Sequence, residues 1–456
     1  MFLEVFDLRI MIVGAGQVGR HLCEKLSIEG QEVVLVDQDD AKLRRLEREM
    51  NILPVQGSGA STRVLEEAGI DQTDLFIAVT DSDEVNLVAC IISKQYNVKT
   101  RIARVRNEDF YSKDSALSEK ALGIDLLISP DHAMAEEIVR LSLFSEAFEI
   151  AEFAGGQVVL LGYAVHDCNP CVGVPLEQLK TAESGLRFVI AAITRGDTTI
   201  IPRGNDTIEV GDKIYIVVHK SDISAVEPLL FNCTSKAPER VFIIGGGTIG
   251  CQVARSLEEK GIGVQLVEKD PQRCNAVTEQ LDDSVVLNFD GLEAHDLLDE
   301  GIDQADLVIS VTNSDTSNIL SSLLAKHHGA KKCITHITRP DFIPLLGKLG
   351  IDVALSPRLV AANLILRFVR GGGSIVSVAT LLGSDAEVVE LRVPYREQFQ
   401  GIPMKSLYFP RGSIVGAVVR GKEVIIPSGE TKIQANDSLI IFFTKEAKEV
   451  VEATFA

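Results

Sequence analysis

The chain has 456 residues, with 45 Lys plus Arg against 65 Asp plus Glu and a formal net charge of −20. A surface that follows the phosphates of a nucleic acid needs the opposite balance, so nucleic acid is excluded as a principal partner. The mean hydropathy is positive, +0.17, yet apolar runs such as 158–163 and 439–443 fall well short of the roughly 20 residues of a membrane span.

The length predicts several domains. Residues 1–7 lack the basic-then-apolar order of a secretion signal, and the eight scattered cysteines read as reduced thiols, so a cytoplasmic protein is expected. In chain order, the first buried-strand pattern is 10–13, followed by the loop GAGQVG at 14–19. Gly14 permits a tight turn, Gly16 lets a pyrophosphate approach the backbone, and Gly19 lets helix and strand pack closely. Gln17, Val18 and Gly19 open a helix whose exposed N–H groups would meet the phosphate charge. A second strand, 32–36, ends at Asp37, 18 residues beyond Gly19. Its carboxylate suits two ribose hydroxyls and repels a 2′-phosphate, which favours NAD or an adenosine phosphate over NADP.

Further loops follow later apolar strands, where carboxyl strand ends line a ligand crevice. These are Gly57-Ser58-Gly59 and Thr80-Asp81-Ser82, and Arg104 and Arg106 stand near another strand end. The two arginines either offset phosphate charge or form surface or subunit salt bridges. An amphipathic helix is predicted over 132–148, then a small α+β module with short strands such as 213–218, and a linker over 228–238.

The chain is then written a second time. Gly14 returns as Gly245, an offset of 231, within RVFIIGGGTIG at 240–250, so Gly245, Gly247, Thr248, Ile249 and Gly250 repeat the loop and helix start. Glu268 ends the strand 264–267 where Asp37 ends the first one. Phe289-Asp290-Gly291 replaces the GSG, Thr312-Asn313-Ser314 repeats 80–82, and His336 stands where the first half has arginine. Equal nucleotide preference in the two sites is therefore not expected. A helix over 360–369 and a second small module, with a strand at 438–443, complete the repeat.

The histidines form no catalytic constellation: His132 and His295 read as structural, and His327-His328 as a helix end before Gly329. Cys168 and Cys171 have CxxC spacing without a second pair or a histidine partner, and read as ordinary thiols. No catalytic residue and no metal site is assigned, and an enzyme is not expected.

The order of parts, with GAGQVG at 14–19, Asp37, the GSG at 57–59, GIDQTD at 69–74 and their second-half echoes, resembles the TrkA family, the peripheral subunits of bacterial Trk potassium uptake systems. These carry two RCK or KTN nucleotide-binding domains, each followed by a C-terminal companion. The resemblance implies Rossmann-like parallel-sheet domains at 1–149 and 232–372, each with a crossover helix, and small α+β domains at 150–231 and 373–456. It also implies a homo-oligomeric gating ring on the cytosolic face of the inner membrane, bound to a Trk-type potassium-translocating membrane subunit and responsive to NAD or NADH and ATP or ADP. Site residues implied for the first half are Gly14, Gly16, Gly19, Asp37 and, near phosphate, Arg104; for the second, Gly245, Gly247, Gly250 and Glu268. Gly57, Thr80, Asp81 and Thr312 join them on the crevice from their strand-end positions. The alternatives are an NAD-dependent oxidoreductase and a nucleotide-sensing assembly not attached to a channel.

Overall fold

The computed structural model describes residues 8–110, 119–144, 147–179, 186–196, 198–231, 237–370, 375–380, 386–395, 401–407 and 409–455. The first half opens with β1 (Arg9–Val13), α1 (Gln17–Ile28), β2 (Glu32–Asp37), α2 (Asp40–Glu49), β3 (Leu53–Gln56) and α3 (Thr62–Glu67). It continues with β4 (Leu75–Ala78), α4 (Asp83–Gln95), β5 (Thr100–Arg104), α5 (Glu119–Leu122), β6 (Leu126–Ile128) and α6 (Pro130–Ser142). The strands pair in parallel in the order β3-β2-β1-β4-β5-β6. Residues 10–13 of β1 are at most 1% exposed because helices cover both faces of the sheet, which is why the strand reads as an unbroken apolar run. The strand order reverses between β1 and β4, and a crevice opens at such a switch point.

An antiparallel sheet follows, built from β7 (Ala147–Phe153), β8 (Val158–Ala164), α7 (Leu176–Leu179), β9 (Phe188–Arg195), β10 (Thr198–Ile200), β11 (Lys213–His219) and α8 (Ile223–Phe231). Its order is β10-β9-β11-β8-β7.

The second half repeats the plan. Its parallel domain comprises β12 (Arg240–Ile244), α9 (Thr248–Glu258), β13 (Gly263–Val267), α10 (Pro271–Thr278), β14 (Val285–Leu287), α11 (Ala294–Asp299), β15 (Leu307–Ser310), α12 (Asp315–His328), β16 (Lys332–His336), α13 (Ile343–Lys348), β17 (Val353–Leu355) and α14 (Pro357–Arg370). The strand order, β14-β13-β12-β15-β16-β17, is the same. The second antiparallel sheet holds β18 (Ile375–Thr380), β19 (Ala386–Arg392), β20 (Ser413–Arg420), β21 (Glu423–Ile425) and β22 (Ser438–Thr444), with α15 (Lys448–Phe455) closing it.

Two expectations about elements differ from the structure. The helix expected over 132–148 is α6, which stops at Ser142. From Ala147 the chain pairs antiparallel with β8 instead. The sequence AFEIAEF alternates as well as it repeats helically, and pairing with β8 decides between the two periods. Likewise α8 continues through Pro228 to Phe231, inside the expected linker. Val226 and Leu230 bury its inner face and Phe231 stacks on Tyr163 with centroids 4.2 Å apart, so packing outweighs the proline. Residues 232–236 of that linker lie outside the described residues.

The halves exchange their crossover helices. The α6 residues Met134, Ala135 and Ile138 share a core with Ile249, Val253 and Leu257 of α9, in the other half. Reciprocally, Ala361, Ala362, Ile365 and Leu366 of α14 pack with Val18, Leu22 and Leu26 of α1. The antiparallel sheets meet face to face: Tyr215 and Val217 lie in one core with Ala417, Ile440 and Phe442.

One buried cation ties this exchange together. Lys332, 5% exposed on β16, donates from Nζ to the carbonyls of Leu141 (2.9 Å), Phe144 (2.8 Å) and Ala147 (2.7 Å). Three donors meet three acceptors at the negative end of α6, which offsets the cost of burying the ammonium.

Candidate nucleotide-binding sites

Each site is built at the carboxyl end of the central strand. Gly14 donates its N–H to Val36 O at 2.8 Å and takes φ +113°, a conformation only glycine adopts readily; a Cβ there would also lie 2.9 Å from Thr80 N. A Cβ on Gly19 would sit 1.9 Å from Gly14 O, so α1 can start this close to β1 only without a side chain. At Gly16, by contrast, a Cβ would meet nothing within 4 Å. The absent side chain leaves open space over the loop.

Gly16 is the N-cap of α1 and no side chain caps the helix, among the described residues. The N–H groups of Gln17, Val18 and Gly19 therefore point out of the helix start as free donors for an anion. The second site repeats this: Gly245 has φ +115°, a Cβ on Gly250 would approach Gly245 O to 2.0 Å, and α9 begins at Thr248 after an uncapped Gly247.

The acid at the end of the second strand does more than the spacing suggested. Asp37 Oδ2 accepts the Ala15 N–H at 2.6 Å and Oδ1 accepts the Asp39 N–H at 2.8 Å. It fixes the glycine loop while keeping lone pairs for a diol, since a carboxylate has about four acceptor sites. Glu268 does the same, accepting from Gly246 N and Asp270 N, both at 2.9 Å.

The crevice walls are held by residues that motif reading passed over. Asn86, fully buried, accepts the Thr80 N–H at 2.9 Å and the Thr80 hydroxyl at 2.7 Å on Oδ1, and its Nδ2 donates to the carbonyls of Thr80 and Arg104. Asn318 makes the matching bonds to Thr312 and His336. Each asparagine thus locks the end of one strand to the next. Both lie six residues beyond the threonine in the repeated loops, the one signal that could have marked them. Gly59 and Gly291 bring the following loop against β1 and β12: a Cβ would lie 2.1 Å from Val13 and 2.3 Å from Ile244. Gly57 donates its N–H to Asp37 O at 2.9 Å.

The sites differ at the far wall. Arg104 Nη1 donates to Asp81 Oδ1 at 3.0 Å and Arg106 Nη2 to the same oxygen at 3.4 Å. The guanidinium of Arg104 holds the Asp81 carboxyl below its usual range. Arg104 is 11% exposed and its Nε is buried without a partner among the described residues, while Asp81 is 86% exposed. In the second site His336 faces the carbonyl of Thr312, Nδ1 to O 3.3 Å, and burial lowers its pKa, favouring a neutral ring. At this strand end the first site therefore presents guanidinium groups and the second a neutral-leaning imidazole, while Arg273 brings a guanidinium to the second glycine loop, its Nε donating to Gly246 O at 2.8 Å.

The remaining chemistry-bearing residues do not converge on these sites. His132 pairs with Glu136 and His295 with Asp299 along their own helices, and His327-His328 end α12 before Gly329. Burial pushes the Cys171 thiol up to about 11, opposite to the shift of a reactive thiolate. Among the described residues no cluster of three or more His, Cys, Asp or Glu could hold a metal, and no helix is long and apolar enough to cross a membrane.

Two parallel-sheet domains with glycine-loop helix starts, each followed by an antiparallel-sheet domain, define a tandem Rossmann-like architecture. The TrkA-N domain family matches residues 10–130 and 241–357, and the TrkA-C domain family residues 160–230 and 388–456. The chain belongs to the TrkA family. It is 34% identical to "Trk system potassium uptake protein TrkA homolog 1" of Methanosarcina mazei over 458 aligned positions, covering 98% of this chain and 100% of that protein. It is 36% identical to the Halomonas elongata "Trk system potassium uptake protein TrkA", covering 95% of each. Among solved structures, "GsuK channel bound to NAD" superposes with a TM-score of 0.60 at 21% identity, over 100% of this chain and 80% of that one. "Crystal Structure of the GsuK RCK domain" gives 0.59 at 22%, over 100% and 96%. These two show that the fold is shared.

Proposed function

We propose that the protein is a non-catalytic, nucleotide-binding regulatory subunit that gates a Trk-type potassium-translocating membrane protein from its cytosolic face. Several copies form a ring, and nucleotide binding changes the ring's shape. The chain divides functionally into nucleotide-binding domains at 1–149 and 232–372 and companions at 150–231 and 373–456. Gly14, Gly16, Gln17, Val18, Gly19 and Asp37 bind the first nucleotide, with Gly57, Thr80, Asp81 and Arg104 around it. Gly245, Gly247, Thr248, Ile249, Gly250, Glu268 and Thr312 serve the second. The ligands are NAD or NADH, with ATP or ADP as alternatives; NAD is named for one structure of the same fold.

The observation that carries this reading is the exchange of crossover helices. Each uncapped glycine-loop helix, α1 or α9, is packed against the crossover helix of the opposite half. A ligand that prefers one setting of α1 against α14 shifts the halves relative to one another, and a differential affinity of about 1 to 3 kcal/mol suffices for regulation. Titration of ATP, ADP, NAD and NADH against potassium flux, in vesicles holding the Trk membrane subunit and this protein, tests it. A saturable flux change is expected; none, with the complex demonstrably formed, refutes gating.

A further inference from the structure

The crossover helices start at equivalent places, Ser129-Pro130-Asp131 for α6 and Ser356-Pro357-Arg358 for α14, but with opposite charges at the third residue. Arg358 precedes Ala361, Ala362 and Ile365 by three, four and seven residues, so it lies on the same face of α14. That face is buried in the core that also holds Ala15 of the first glycine loop, Val18 of α1 and Val79, the residue before Thr80. Arg358, at the amino-terminal end of that face, follows Leu355, which pairs with His336, and it acts electrostatically on both His336 and Asp81, so it stands between the two sites. It makes no hydrogen bond or ion pair among the described residues and is partly exposed.

Arg104 and Arg106 converge on Asp81 in the same place. Consistent with the placement, Arg358 is among the cations that hold the Asp81 carboxyl low, behind Arg104 and Arg106. In the second half His336 takes the arginine's position; Asp131 at the α6 start acts on both Arg104 and His336, as Arg358 acts on both Asp81 and His336.

We propose that Arg358, delivered by the second half, is a phosphate-binding residue of the first site and selects nucleoside di- and triphosphates over monophosphates there. This rests on the reading of the first glycine loop as a nucleotide site. With Asp37 on the ribose side and the loop at the α1 start, the terminal phosphates extend across the switch point toward β4 and β5, where Asp81 holds the arginines. A terminal phosphate replaces the Asp81 carboxylate on Arg104 and adds Arg358, a guanidinium with no protein partner of its own. Occupancy of the first site by such a ligand thereby fixes the amino-terminal end of α14, whereas a monophosphate leaves it unengaged.

Calorimetry on the full chain tests this, in a Glu268→Ala background that weakens the second site, with ATP, ADP and AMP as probes. Arg358→Ala is expected to weaken ATP about tenfold and leave AMP unchanged, and Arg358→Lys to restore most of the loss. Asp81→Asn is expected to tighten ATP, because it removes the competing anion. An unchanged ATP-to-AMP ratio in Arg358→Ala, or an equal loss for both ligands, overturns the proposal while leaving the nucleotide site standing. If none of the three ligands binds even the background chain and Asp37→Ala changes nothing, the nucleotide reading itself falls.

Discussion

The two halves share strand order, glycine geometry and the asparagine clamp, yet differ at several of the charges near the other half. Asp37 and Glu268 reach equivalent loop amides in spite of a one-methylene difference. Arg104 and His336, Asp131 and Arg358, and Thr100 and Lys332 are all unlike pairs. Backbone geometry was kept in duplicate because each loop needs it locally. Side chains facing the partner half were free to diverge because the sites do not face identical surroundings.

The largest effect that sharpens this comparison is expected at Gly19→Val, which should abolish binding at the first site by forcing a side chain against Gly14 O. Gly250→Val should do the same to the second alone. Calorimetric stoichiometry falling by one site in each case checks it; retention of both sites in either variant breaks the claim that the loops are independent and equivalent.

Lys332→Met comes next. It leaves the carbonyls of Leu141, Phe144 and Ala147 without their donor, and should cost about 3 kcal/mol in chemical denaturation. Thr100→Met, at the matching place in the first half, should cost far less, since no equivalent ammonium is lost. Equal losses would show that the two joints are alike after all.

Asp37→Ala should weaken the first site by about 2 kcal/mol, or about 30-fold, through lost ribose contacts and a loosened Ala15 amide. Glu268→Ala should do the same to the second. A large loss at one and none at the other, measured by calorimetry, would show that only one site takes a ribose in this orientation.

The smallest effect is acid dependence. Arg187 grips Asp222 through Nε at 2.9 Å and Nη2 at 3.1 Å, and this pair, first among the causes, holds the Asp222 carboxyl far below its usual range. The matching positions in the second half are Gly412 and Ala447. A depressed carboxylate contributes stability that is complete above its unfolded pKa, about 3.9, and is lost as pH falls through the lower folded value. Asp222→Asn should therefore cost about 1 kcal/mol at neutral pH and nothing in strong acid. Denaturation midpoints from pH 1 to 7 check it; a loss as large at pH 1 as at pH 7 refutes the ion pair as its source.

Much of this architecture was readable from residues alone because it repeats at a fixed offset. The strand, the three glycines and the terminal acid obey local rules of period and spacing, and they fall as expected. What stayed hidden was non-local. No periodicity in 130–142 says that α6 packs on α9 of the other half, and nothing marks Lys332 as the residue that ends it. The helix over-extended to 148 has the same origin: 147–153 fits either period, and only pairing with β8 settles which. Asn86 was visible as part of a repeated string, but its role depends on Thr80 and Arg104 meeting on neighbouring strands. Arg104 and Arg106 were read as phosphate ligands or salt-bridge partners, and they are seen paired with Asp81.

The exchanged helices give the chain the form of a domain-swapped dimer whose two copies are covalently joined. In a dimer of separate identical chains, any substitution is made twice, once on each side of the symmetry axis. Joining the copies lifts that restriction: an arginine at one helix start and an aspartate at the other can coexist, each set against groups of both halves. The fused molecule can thus carry unlike residues at two equivalent positions of one joint, an arrangement that strict two-fold symmetry forbids.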